Sequence, residues 1–356
     1  MLRQQRKKCC QEQQLEEQTQ FPNHHFLQCA DLVLPWLTPQ ELATISSTCK
    51  TLRQYSKSVT LRRSLDASRS LETLPVPFYN LVDQHPYAYF IYTPSQFIPS
   101  SASSPQRQSW GSKLDPSLSN DSVTEMGPEG NKVRLVDEKG ESEYGCDCER
   151  CEKVSDEDVF GCPCMDLEGL EIVNECGPSC GCGLECVNRL TQRRILVKLK
   201  VVRDLRKGWG LYAAQSIQEG QFVCEYAGEL LTTEEARKRQ QIYDQLASAG
   251  QFSSALLVVR EHLPSGKACL RVNIDATRVG NVARFINHSC DGGNLSTLLV
   301  RSSGALVPRL CFFASKDIRE DEELTFSYGE TRVRSNGLKC FCGSSCCFGT
   351  LPSEHT

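Results

Sequence analysis

Nine of the chain's 21 cysteines fall between residues 146 and 186: Cys146, Cys148, Cys151, Cys162, Cys164, Cys176, Cys180, Cys182 and Cys186. An odd number at this density cannot be a closed disulfide set, and neighbours spaced Cys-x-Cys make strained bridges. Thiolates this close repel one another unless a cation neutralises them, and Zn²⁺ takes four such ligands. Two separate four-cysteine sites leave one sulfur over. Three zinc ions need twelve ligand positions, which nine sulfurs supply if three of them bridge. Spacing alone leaves both arrangements open. Either way, this segment is built on metal and not on an apolar core. Cysteines kept for metal also call for a reducing compartment. Residues 1–10 are basic and polar with no apolar stretch behind them, so no signal peptide is expected. The longest apolar runs, such as residues 255–259, are too short to span a bilayer. The expectation is an intracellular chain with no membrane association.

A second cysteine set, Cys340-x-Cys342 followed by Cys346-Cys347, offers an incomplete tetrahedron. Two further segments carry chemistry. Residues 284–290 read Arg-Phe-Ile-Asn-His-Ser-Cys, placing an amide, an imidazole, a hydroxyl and a thiol in succession. Residues 323–329 read Glu-Leu-Thr-Phe-Ser-Tyr-Gly, a strand-like alternation ending in a tyrosine beside a glycine.

Length allows two or three domains among 356 residues. A net charge of −4 supplies no basic field for nucleic acid, so no sequence-specific DNA binding is expected. It suits a basic peptide, and Asp156-Glu157-Asp158 and residues 320–323 are either docking charges or a solvated face. Residues 24–72 carry Leu32, Leu34, Leu37, Leu42, Ile45 and Leu52 at helical spacing, interrupted by Pro35 and Pro39. Residues 73–143 are an aromatic segment followed by a Ser/Pro-rich linker, with Phe78, Tyr79, Tyr87, Tyr89, Phe90, Tyr92 and Phe97 expected to pack against the domain C-terminal to them. From 197 onward, short strands dominate: 197–202, 222–226, a pair at 255–259 and 270–274, and another at 295–301 and 310–313. Gly208-Trp209-Gly210 reads as a tight turn. Thr232 and Thr233 before Glu234-Glu235 start a helix reaching about Leu246.

The two chemical segments closely resemble the signature segments of SET-domain protein lysine methyltransferases, nearest the plant Su(var)-related group. The resemblance implies a β-rich SET fold of small sheets with a pseudoknot, in which the second segment threads through a loop containing the first. It implies flanking pre-SET and post-SET zinc modules and a small helical N-terminal segment. The expected boundaries are an F-box-like segment at 24–72, pre-SET at 144–190, SET at 194–330 and post-SET at 336–352. The grouping of the nine cysteines and the Cys180-Gly181-Cys182 core resemble a pre-SET module, which implies three zinc ions. The resemblance also makes Cys290 the fourth ligand with Cys340, Cys342 and Cys347, so four structural zinc ions are implied in all.

In that family the methyl group comes from S-adenosyl-L-methionine. The resemblance gives Lys207, Gly208, Trp209 and Gly210 to the first cofactor loop, and Arg284, Asn287, His288 and Tyr328 to the cofactor site. His288 would position cofactor and not act as a base. Tyr328 would orient amine and methyl group. Phe326 would set how many methyls fit, and a phenylalanine there permits di- or trimethylation. Three departures stand out: Ser327 replaces an aspartate, Asp291-Gly292-Gly293-Asn294 replaces a shorter loop, and a second active-site tyrosine is missing where Phe252-Ser253-Ser254-Ala255 stands. The implied function is transfer of methyl groups to a lysine of histone H3, at its first Ala-Arg-Lys-Ser motif, by a nuclear, chromosomal enzyme whose partner is the nucleosome. The alternatives are a catalytically weak chromatin-binding SET protein, or a ubiquitin-ligase substrate adaptor that binds a Skp-type partner through residues 24–72.

Overall fold

The computed structural model describes residues 23–99, 145–149, 151, 162, 164, 172–177, 180–248, 254–262, 269–305, 307–329 and 338–352. The linker at 100–143, the acidic cluster at 156–158, Phe252-Ser253 and the 263–268 connection lie outside them. The chain divides into two compact units, Met1–Leu65 and Asp66–Thr356. Among the described residues no helix is long and apolar enough to cross a membrane.

The first unit holds helices α1 (Asn23–Val33), α2 (Pro39–Ser46) and α3 (Lys50–Leu65). Helix α2 starts where it does because Thr38 and Glu41 form a capping box with Pro39 in the first turn. The Thr38 amide donates to Glu41 Oε2 at 2.7 Å, and the Glu41 amide donates to Thr38 Oγ1 at 3.3 Å. Ala30, Leu34, Leu42 and Val59 form the core, with Leu37, Ile45, Leu52 and Tyr55 packed on it. Arg63 closes the chain break around the prolines by donating to the Pro35 and Leu37 carbonyls, both at 2.7 Å. Leu32, expected in this core from its spacing, is instead 73% exposed, and Trp36 is 83% exposed.

The second unit is built from short strands: β1 (Phe78–Tyr79), β2 (Ile91–Tyr92), β3 (Ile172–Glu175), β4 (Leu199–Asp204), β5 (Gly208–Ala213), β6 (Phe222–Glu225) and β7 (Gly228–Leu231). Helix α4 (Thr233–Ser248) follows, then β8 (Leu256–His262), β9 (Cys269–Gly280), β10 (Asn287–His288), β11 (Leu295–Ser302), β12 (Arg309–Ala314) and β13 (Thr325–Phe326). They form small sheets ordered β1-β4-β5, β3-β11-β12-β6, β2-β9-β7 with β8 on β9, and β10-β13. The alternating Leu199 and Val201 of β4 face inward with Leu211 and Ala213 of β5. The turn between them is at residues 205–207, where Asp204 Oδ1 accepts the Arg206 and Lys207 amides at 2.7 and 2.8 Å. Gly208-Trp209-Gly210, expected as the turn, opens β5 instead, because the carboxylate already satisfies the turn's donors. Helix α4 begins as the sequence suggests: Thr232 Oγ1 accepts the Glu235 amide, and Glu234 and Glu235 face the positive end of the helix dipole.

Of the aromatic segment, Phe78, Tyr87, Phe90 and Tyr92 pack on the sheets, whereas Tyr79, expected there too, is 53% exposed. Strand β1 adds in parallel to β4 through Phe78 opposite Val201. The Phe78 ring meets Trp209 edge-on at 5.2 Å and Phe285 at 5.8 Å, and Phe90 meets Phe285 at 5.6 Å. The cysteine segment attaches through β3, which runs parallel to β11. A buried ion-pair network backs that joint. Arg309 donates to Glu175 at 2.9 Å, to Glu225 at 3.3 Å and to the Thr191 hydroxyl at 2.7 Å.

Candidate functional site: two threaded segments and a thiol-lined joint

The two chemical segments meet. Strands β10 and β13 pair in parallel, Asn287 opposite Thr325 and His288 opposite Phe326. The loop after β10 then wraps around the second segment. The Ser289 amide donates to the Phe326 carbonyl and the Asn294 amide to the Thr325 carbonyl, both at 3.0 Å. Asn294 Nδ2 donates to the Glu323 carbonyl at 2.9 Å, and its Oδ1 accepts the Thr325 amide at 2.9 Å. Threading explains the altered loop. Gly293 has φ +79°, and a Cβ there would lie 2.2 Å from the Thr325 carbonyl oxygen, so only glycine fits.

Lys207, Gly208, Trp209 and Gly210 lie along this crossing. Lys207 Nζ pairs with Glu323 Oε2 at 2.5 Å, while Asn287 Nδ2 donates to Glu323 Oε1 at 2.9 Å and approaches the Trp209 carbonyl at 3.4 Å. A Cβ on Gly210 would sit 3.0 Å from Glu323 Oε1 and 3.1 Å from Asn287 Nδ2, so the glycine lets three elements converge. Glu323 therefore organises the site, although the sequence offered it only as the first residue of the second segment and one of a run of acids, with no role assigned. Arg284 faces another way. Its Nε and one Nη donate to the Ala276 and Thr277 carbonyls at 2.9 and 3.0 Å, and the guanidinium lies 4.9 Å over the Phe90 ring. His288 is buried against Tyr328, with ring centroids 5.2 Å apart.

Tyr328 and Phe326 sit in an aromatic wall. Phe326 meets Phe312 at 4.8 Å and Tyr328 at 4.9 Å, and Tyr226 joins through Phe312 at 6.3 Å. The Tyr328 hydroxyl donates to the Ile286 carbonyl at 2.7 Å. The residue is 37% exposed overall, yet burial around the phenol pushes its pKa well up, with the Glu323 charge adding to the rise. It is thus a neutral hydroxyl. Tyr226 was not singled out from sequence. Its hydroxyl donates to the Ala255 carbonyl at 2.7 Å, in the stretch where the expected second tyrosine is missing, and burial raises its pKa too. Ser254 itself is exposed.

The thiols gather as metal sites require. Cys290, Cys340, Cys342 and Cys347 have sulfurs within 4.8 Å of one another, and Cys346 is not among them. In the nine-cysteine segment, three overlapping groups form: Cys146, Cys151, Cys176 and Cys182; Cys146, Cys162, Cys164 and Cys176; and Cys146, Cys148, Cys151 and Cys162. A tetrahedral ion with Zn–S bonds of about 2.3 Å has sulfur–sulfur edges of about 3.8 Å. The Cys146–Cys151, Cys146–Cys176, Cys164–Cys180 and Cys290–Cys340 separations are 3.6, 3.9, 3.7 and 3.8 Å. The donor sets therefore fit zinc, and the sulfurs shared between groups favour a bridged cluster. Cys182 is prepared as a thiolate: burial opposes ionisation, but Arg189 and neighbouring thiols bring its pKa down to about 7.

A family model of the SET domain matches residues 208–329. Over 345 residues the chain is 61% identical to the histone-lysine N-methyltransferase SUVR3 of Arabidopsis thaliana, covering 93% of this chain and 92% of that one. It is 34% identical over 227 residues to the histone-lysine N-methyltransferase SETMAR of Mus musculus, covering 59% of this chain and 70% of that one. Among solved structures, the methyltransferase domain of human SETMAR aligns with a TM-score of 0.58 and 26% identity, over 81% of this chain and 97% of that one. KRYPTONITE in complex with mCHH DNA, an H3(1-15) peptide and SAH aligns with a TM-score of 0.56 and 28% identity, over 81% of this chain and 53% of that one.

Proposed function

The chain belongs to the SET-domain histone-lysine N-methyltransferases, and from that premise we propose that it methylates histone H3, at the lysine of the first Ala-Arg-Lys-Ser motif, on nuclear chromatin. It is an S-adenosylmethionine-dependent enzyme. The observation that carries the proposal is the β10–β13 pairing, which gathers Asn287, Phe326 and Tyr328 beside Lys207–Gly210 at the start of β5. A neighbour that holds an H3 peptide supports the choice of substrate.

When bound, the cofactor supplies an activated methyl carbon, which leaves alignment and electrostatics to the protein. Asn287 and the Lys207–Gly210 backbone would hold it, with Glu323 fixing Asn287 and Lys207. The attacking amine must be neutral, whereas free lysine has a pKa near 10.4. The apolar surroundings of Tyr226 and Phe326, packed on the buried Phe312 ring, would favour the neutral form, because burial disfavours charge. The Tyr328 hydroxyl, itself un-ionised, orients the amine, and in-line alignment then supplies rate. Phe326 carries no hydroxyl to hold a water where a further methyl must go, so di- or trimethylation is permitted. Each of the four groups offers four cysteine sulfurs, a full tetrahedral set with no place left for a water or substrate, so zinc held there would be structural.

Incubation of the purified protein with labelled cofactor and intact nucleosomes tests this reading. Label should enter H3 and disappear when that lysine is replaced. Cofactor binding without turnover on any histone would favour the weak, chromatin-binding alternative instead. Asn287→Ala should abolish cofactor binding by calorimetry, whereas Tyr328→Phe should keep affinity and lose turnover. Equal losses of affinity would contradict the two roles. Exposed Leu32 and Trp36 keep the adaptor reading of residues 24–72 open to a pull-down with a Skp-type protein.

A further inference from the structure

His288 is 5% exposed, and both of its ring nitrogens have partners. Nδ1 lies 3.1 Å from the Tyr328 amide nitrogen, and Nε2 lies 3.3 Å from Cys290 Sγ. These two contacts fix the proton. A backbone N–H can only donate, so Nδ1 must offer its lone pair to Tyr328. A zinc-bound Cys290 is a thiolate with no proton to give, so Nε2 must carry the hydrogen. The ring is therefore neutral.

We propose that His288 is a strut between the Cys290–Cys340–Cys342–Cys347 zinc site and the active-site strand, donating from Nε2 to the Cys290 thiolate and accepting the Tyr328 amide at Nδ1. This rests on the zinc and tyrosine roles given above. Tyr328 is pinned at two points, its hydroxyl on the Ile286 carbonyl and its amide on His288. Residues 330–337, which lead from Tyr328 to the C-terminal thiols, lie outside the described residues, so among described contacts His288 is the side chain that joins both ends. An N–H donated to a metal thiolate orients that ligand and moderates its charge, and such outer partners set metal affinity by about 10–100-fold. Filling the zinc site thus fixes the ring, and the ring fixes the tyrosine amide. His288 is a positioning residue: its side chain points at thiolate and backbone, so any part it has in holding cofactor comes through its main chain.

The two ends can be cut separately. Asparagine places an acceptor where Nδ1 lies but nothing that reaches Cys290. Glutamine places an amide donor where Nε2 lies but no acceptor for the Tyr328 amide. Native mass spectrometry under chelator challenge counts zinc, and the three ions expected in residues 146–186 report that the fold is intact. H288N should lose the fourth zinc about 10–100-fold faster than the natural protein. H288Q should retain it but lose kcat, with KM for the cofactor much less affected. In the unaltered protein, long-range ¹⁵N correlation spectra of labelled histidine should show a neutral ring protonated at Nε2. If the natural protein holds four zinc ions and methylates, yet H288N keeps the fourth as tightly, or the proton sits on Nδ1, the strut is overturned and the enzyme reading stands. If the natural protein holds no fourth zinc, the C-terminal zinc site and the strut fall together.

Discussion

Cys176 and Phe312 are both fully enclosed, at 0% exposure each, and the neighbours they share that state with differ completely. Phe312 sits in a cluster of apolar side chains drawn from β4, β5, β9 and β12, where each buried ring or branch adds its transfer free energy, about 1.5–3 kcal/mol. Cys176 sits in a cluster whose buried members are all cysteines. Burial pushes the Cys176 thiol pKa far up, so without a metal that sulfur keeps its proton. A metal reverses that balance, since the thiolate is then the favoured form. One region is thus folded by what it excludes from water, and the other by what it binds.

The largest expected effect tests that contrast directly. Zinc should number four per chain by elemental analysis, and a value near two would remove the bridged cluster. Stripping it should cost residues 146–186 their order, since structural zinc binding is worth about 10–16 kcal/mol in comparable small sites. Hydrogen exchange should then show protection lost at Cys176 and Cys186 while β4 and β5 keep theirs. If both regions lose protection together, the two are one cooperative unit and the contrast fails.

Next in size, Phe312→Ala should destabilise the threaded core by about 3–5 kcal/mol in denaturant titration with zinc content unchanged. Loss of metal in this variant would show that the apolar core also shapes the cluster. Arg309→Ala probes the joint. It strands Glu175 and Glu225 inside the protein, 4% and 6% exposed as side chains, with their charges uncompensated. A cost of about 3 kcal/mol is expected, the low end for a buried pair because Arg309 is itself 14% exposed. A charge-neutral Arg309→Met variant with restored stability would mean that packing, not charge, joins the regions.

The smallest effect is on pH. Burial pushes the Asp275 pKa up, but hydrogen bonds from Thr277, Arg239 and Tyr243 outweigh it and hold the carboxyl below its ordinary value. A folded pKa below the unfolded one, near 3.9, gives stability that is complete above that value and fades as pH falls through the folded one. Asp275→Asn should therefore flatten the melting temperature below pH 4 and leave the zinc region's response unaltered. An unchanged acid limb would assign acid sensitivity to the cysteines.

Much of this protein is legible in its residues because the signals are local. The Cys-x-Cys spacings, the Thr232–Glu235 helix start, the β8–β9 and β11–β12 hairpins and the two chemical segments all depend on near neighbours. A missing tyrosine before β8 is equally visible. What lies against that region is not: Tyr226 reaches the Ala255 carbonyl from the connection between β6 and β7, 29 positions away. The same holds for Glu323 between Lys207 and Asn287, and for Arg309 between Glu175 and Glu225. Each of these partners is charged or polar and looks like a surface residue in sequence. Gly208-Trp209-Gly210 reads as a turn because glycines are stronger local signals than the Asp204 carboxylate that makes the turn.

By itself, then, the sequence determined where metal is bound, where strands alternate and which two segments hold the chemistry, since residue type and spacing set those properties over a few positions. Only the tertiary structure decided that β13 passes through the loop after β10, that Gly293 must be glycine because the Thr325 carbonyl lies where its Cβ would be, and that His288 turns its two nitrogens to Cys290 and Tyr328. Those facts depend on close approach between chain segments about 30 to 40 residues apart, and no local pattern encodes a distance that the fold alone sets.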